Sequence, residues 1–94
     1  MNRNRLSEEE IAERMSTVAG WSVEGNSLKR RFEFMNFAAS LEFVNKAGSI
    51  AEEMDHHPDI TFGWGYAEFV LTTHDRGGLT EFDFECARRI SFEF

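Results

Sequence analysis

Three histidines, His56, His57 and His74, are the side chains of this sequence best suited to chemistry. Imidazole both gives and takes a proton near neutral pH without extreme tuning, so two of them flanking a substrate can act as acid and base in one step. The spacing allows them to meet. His74 stands sixteen positions after Pro58, and Pro58 directly follows the His56-His57 pair. If the chain between goes out along one strand and back along an antiparallel neighbour, both ends return to the same edge of a sheet. Pro58 forces His57 into extended backbone, so the adjacent rings should splay and address different sides of a pocket. Asp55 and Asp75 sit beside the histidines, and either could orient a ring through its second nitrogen. Glu52 lies one helical turn before His56 and, with the carbonyl end of the same helix, favours an imidazolium there.

Each of these features has a plainer alternative. Tandem histidines before a proline also suit a solvated helix-end loop, and closure of the hairpin onto His74 is what favours a site. Three histidines with nearby carboxylates could ligate zinc. Adjacent histidines with splayed rings seldom share a metal, and no helical His-x-x-x-His spacing exists, so proton transfer is the better reading. Asp83 reads most simply as a carboxylate in the first turn of a helix, satisfying a backbone donor. Trp64 and Tyr66 suit cross-strand packing, and Gly77-Gly78 suits a turn rather than a phosphate loop.

The elements that must position these residues follow from patterning. Ser7 with Glu10 forms a capping-box pattern, with Leu6 and Ile11 as its hydrophobic staple, so a helix starts near Glu8 and ends near Ala19, where Gly20 can close it. Trp21–Glu24 and Leu28–Phe34 read as strands around Gly25-Asn26-Ser27, with Leu28, Arg30, Phe32 and Phe34 on one face. Asn36 can cap a long helix to about Met54, with Phe37, Leu41, Val44, Ala47, Ala51 and Met54 on its buried stripe. Pro58 stops that helix. Ile60–Phe62 and Tyr66–Thr73 then form a second hairpin around Gly63-Trp64-Gly65. Leu79-Thr80 with Asp83 and Phe84 repeats the staple and cap, opening a third helix through Ala87 and Ile90. The expected fold is α+β, a four-stranded antiparallel sheet with helices packed on one face, in the order α-β-β-α-β-β-α, over a single domain of residues 1–94.

Composition narrows the function classes. The chain is 41% hydrophobic and contains ten Phe, which suits a folded globule with one modest core. A net charge of −7, with basic residues scattered apart from Lys29-Arg30-Arg31, disfavours a nucleic-acid partner. No apolar run approaches a membrane span, and the polar N-terminal residues do not read as a signal segment, so no membrane partner and a cytoplasmic location are expected. The lone Cys86 reads as core filler.

The pattern Glu52, three residues, His56-His57-Pro58, five residues, Trp64, nine residues, His74, eight residues, Asp83 closely resembles the signature of the pterin-4a-carbinolamine dehydratases. That family is also known as dimerisation cofactors of a homeodomain transcription factor. The likeness extends from Gly20-Trp21 through Phe32 to Thr72-Thr73-His74 and Gly78-Leu79-Thr80, so it covers most of the chain. The resemblance implies a cofactor-free dehydration, with no metal, of 4a-hydroxytetrahydropterin to quinonoid dihydropterin in tetrahydropterin recycling. It implies a pterin pocket lined by Asp55, His56, His57 and Pro58 on the helix-end loop and by Thr72, Thr73, His74 and Asp75 on the strand end. His56 and His74 would transfer protons and His57 would bind the pterin and could assist. Glu52 and Asp83 would support the site from behind. A homodimer is implied, with a tetramer as the alternative; nothing in the sequence implies the transcription-factor partner.

Overall fold

A computed structural model covers residues 1–94. Ser7 caps α1 (Glu8–Arg14): its side chain accepts from the Glu10 N–H while the Glu10 carboxylate accepts from the Ser7 N–H. The helix tightens into a 3-10 turn over Met15–Thr17, and Gly20, at φ +89°, turns the chain towards the first hairpin. β1 (Ser22–Glu24) and β2 (Ser27–Glu33) pair antiparallel, and Asn36 caps α2 (Phe37–Met54) by accepting from the Ala39 N–H. β3 (Asp59–Gly63) and β4 (Tyr66–Leu71) form the second hairpin around Trp64-Gly65, and Thr80 caps α3 (Glu81–Phe92). The strands make one antiparallel sheet in the order β1-β2-β4-β3, with Arg30 of β2 opposite Phe69 of β4. This is the expected α+β arrangement in the expected order. No helix is long and apolar enough to cross a membrane.

Strand alternation puts Leu28 and Phe32 of β2 and Ala67, Phe69 and Leu71 of β4 on one buried face. The opposite face is polar, where Arg31 pairs with Glu68 across the strands. α2 contributes Phe43, Ala47 and Ala51 to the core, and α3 contributes Phe84, Ala87 and Ile90. Phe32 sits between two further rings, with centroids 4.7 Å from Phe43 and 5.6 Å from Phe69. Aromatic pairs of this geometry add about 0.5–1.5 kcal/mol beyond the area they bury.

Three expectations need correction. The buried stripe of α2 runs through Ser40, Phe43, Ala47 and Ala51, whereas Phe37 and Leu41 are exposed. Small residues let the helix approach the sheet closely, Ser40 donates to the Gly63 carbonyl at 2.7 Å, and Phe37, at the start of the helix, packs against Phe62. The first helix gives way to the 3-10 turn before Ala19. β4 ends at Leu71 rather than Thr73, and Thr73 instead forms an isolated bridge to Gly78.

Candidate active site

The site begins where α2 stops. Asp55 adopts the left-handed conformation, φ 51°, and both its N–H and that of His56 return to the Ala51 carbonyl. Left-handed closure is normally the work of glycine or asparagine. With the helix reversed in this way, His56 is carried inward against α3 and left only 8% exposed, while His57 stays in solvent. The second hairpin delivers the other half. Beyond β4, the Thr72 hydroxyl donates to the Asn26 carbonyl at 2.6 Å, and a 3-10 turn over His74–Arg76, closed by Gly77 at φ +70°, presents His74 to solvent.

These ends meet at one cleft of about 320 Å³ lined by Arg3, Asp55, His56, His57, Thr72, Thr73, His74 and Asp75, without an apolar side chain. The hairpin therefore does gather all three histidines. A groove of similar size between α1 and the first hairpin contains no histidine. Pro58, expected in the lining, lies outside it and serves to end the helix and start β3.

Asp83 is the partner of His56. The His56 Nε2 lies 2.6 Å from Asp83 Oδ1, and Asp83 Oδ2 accepts from the Thr73 hydroxyl at 2.8 Å and the Thr80 N–H at 2.9 Å. Asp83 is fully buried, and it is also the carboxylate of the α3 capping box, so its structural reading holds and a site role adjoins it. Because a carboxylate only accepts, Nε2 carries the proton and a neutral His56 has its lone pair on Nδ1. Nδ1 has no protein partner and is not sealed from solvent, and His56 lines the cleft.

Neither aspartate adjacent to a histidine orients a ring. Asp75 takes both oxygens to the Arg3 guanidinium, at 2.8 and 2.9 Å, and that hydrogen bond holds its carboxyl below the usual carboxylate range. Glu52 meets His57 rather than His56, because the left-handed Asp55 ends the helical register on which the expected contact depended. Behind the site, Cys86 lies against the His56 carbonyl, and burial pushes its thiol up to about 12. Arg3 and Thr80 are the site residues that local patterning did not reveal. Arg3 is 72 positions from Asp75, and Thr80 reads in sequence only as a cap.

Over nearly its whole length the chain is similar to known proteins. Residues 4–92 match the family model described as pterin 4 alpha carbinolamine dehydratase. A protein of Sulfolobus acidocaldarius provisionally named a pterin-4-alpha-carbinolamine dehydratase is 48% identical over 87 residues, which cover 93% of this chain and 96% of that one. The crystal structure of a transcriptional coactivator/pterin dehydratase from Brucella melitensis superposes with a TM-score of 0.90 at 34% identity, covering 95% of this chain and 97% of that one. A pterin dehydratase-like protein identified as a RuBisCO assembly factor in the alpha-carboxysome superposes with a TM-score of 0.64 at 26% identity, covering 77% and 83% of the two chains. A match over nearly the whole length, on the fold described above, places this chain in the pterin-4a-carbinolamine dehydratase family.

Proposed function

We propose that the protein dehydrates 4a-hydroxytetrahydropterin to quinonoid dihydropterin, with His56 and His74 as the proton-transfer pair and without a cofactor. The observation that carries this reading is the His56–Asp83 contact inside a cleft shared with His57 and His74. Dehydration removes the N5 proton and the 4a-hydroxyl of the substrate. His56, held with its proton on Nε2, takes the N5 proton at Nδ1. The freed electron pair forms the C4a–N5 double bond, and the hydroxyl leaves with a proton from His74 as water. Asp83 stabilises the imidazolium that His56 becomes, as a buried carboxylate does behind a catalytic histidine. His57, paired with Glu52 at the cleft mouth, binds the pterin and completes the family pattern.

The test is to follow the ultraviolet change as chemically prepared 4a-hydroxytetrahydropterin dehydrates, for wild type, His56→Ala and His74→Ala. Rates unchanged in both variants would remove the assigned roles. Chelation should leave the rate unchanged, and a chelator-sensitive enzyme would revive the zinc reading. A second reading, a non-catalytic binding or assembly module, is favoured by the family relative identified as a RuBisCO assembly factor. Recovery of a stoichiometric protein partner together with no dehydration above the uncatalysed rate would support it. A homodimer in solution belongs to the first reading and is checked by light scattering.

A further inference from the structure

Thr73 is 2% exposed, and its polar groups are already committed. Its N–H donates to the Gly78 carbonyl at 3.1 Å, and its carbonyl accepts from the Arg76 N–H at 3.0 Å. Its hydroxyl lies 2.8 Å from Asp83 Oδ2 and 2.8 Å from Thr80 Oγ1. A hydroxyl has one proton to give, and a carboxylate gives none. The Thr73 O–H therefore points to Asp83, and the Thr80 O–H points to Thr73. Thr80 Oγ1 in turn accepts from the Phe82 N–H at 3.3 Å. The bonds form a directed chain from the first turn of α3, through Thr80 and Thr73, to the carboxylate that holds His56.

We infer that Thr73 is a positioning residue: its hydroxyl fixes the rotamer of Asp83, which keeps the His56 proton on Nε2 and leaves Nδ1 as the base. The inference rests on the dehydratase reading for its kinetic consequence, and it adds to the place that Thr73 has in the cleft lining. No donor of Thr73 is free to reach a substrate. A buried hydroxyl persists only where its partners are supplied, and here the partners are the cap and the acid of the site. Without it, Oδ2 keeps only the Thr80 N–H, and the carboxylate can turn away from Nε2.

The test compares Thr73→Val, which removes the hydroxyl at constant volume, with Thr73→Ser, which keeps it. Steady-state dehydration and the imidazole nitrogen NMR shifts of His56 are read in each. The expected result is a kcat about tenfold lower in Thr73→Val with KM within about twofold, rescued in Thr73→Ser. His56 should hold one tautomer in wild type and Thr73→Ser and become a mixture in Thr73→Val. Thr73→Ala gives the same comparison if the valine variant does not fold. A raised KM at unchanged kcat would place Thr73 on the substrate and overturn the inference. So would equal losses in valine and serine variants with an unaltered His56 tautomer, since packing alone would then be at stake. If wild type does not dehydrate the pterin, the functional reading fails, and the His56 spectrum still decides the role of Thr73.

Discussion

His56 Nε2 lies 2.6 Å from Asp83 Oδ1, and the same carboxylate closes the capping box of α3 through the Thr80 N–H. One side chain thus starts a helix and fixes an imidazole. Asp83→Asn should lower kcat by about 10²- to 10³-fold, less than the roughly 10⁴-fold seen when a triad aspartate is amidated. It should also cost about 1–3 kcal/mol of stability, because the amide nitrogen confronts a buried donor in place of an acceptor. Dehydration kinetics and urea unfolding measure the two losses separately.

His56 is buried and held at one nitrogen, whereas His57 is exposed beside Glu52. His56→Ala should therefore reduce kcat by about 10²- to 10⁴-fold, the usual contribution of a positioned acid or base. His57→Ala should act mainly on KM. Michaelis parameters for the two variants check the division of labour.

Asp55 holds a left-handed conformation that costs an aspartate more than a glycine. Asp55→Gly should raise stability by up to about 1 kcal/mol, while removing a carboxylate from the cleft should lower kcat/KM. Chemical denaturation beside the dehydration assay would show whether stability and turnover move in opposite directions.

The Arg3–Asp75 pair carries a pH signature. The Asp75 carboxyl lies below its ordinary value in the fold, chiefly through its hydrogen bond to Arg3. Its contribution is therefore present above the unfolded carboxyl pKa of about 3.9 and is lost as pH falls through the lower folded value. The difference in melting temperature between wild type and Arg3→Ala should be small at pH 7 and should shrink towards zero on acidification. Thermal scans across that range provide the measurement.

Cys86 is fully buried, and its thiol is pushed up to about 12. The thiolate is the reactive form. Native protein should resist iodoacetamide at pH 8 and become alkylated in denaturant, as intact mass would report.

The elements were legible because local signals agreed with one another: Ser7 with Glu10, Asn36, and Thr80 with Asp83 all act as caps where patterning placed them. The histidine cluster was legible for a different reason, since a hairpin returns its two ends to one edge whatever its side chains do. Charge partners were not. Sequence adjacency pointed to Asp55 and Asp75 as orienting groups for the rings, yet the side chain that reaches His56 stands 27 positions away on another helix. The turn-by-turn rule that paired Glu52 with His56 fails at a single residue, Asp55, whose positive φ no periodicity reports.

The directed bonds through Thr80, Thr73 and Asp83 also bear on how the protein is made. His56 enters the site at the end of α2, but its acceptor arrives only when α3 docks on the sheet. A partly folded chain with both hairpins in place and α3 still loose would contain all three histidines and no carboxylate behind His56. Recovery of turnover during refolding should accordingly not precede burial of α3, which ties catalysis to a long-range contact and not to the hairpins alone.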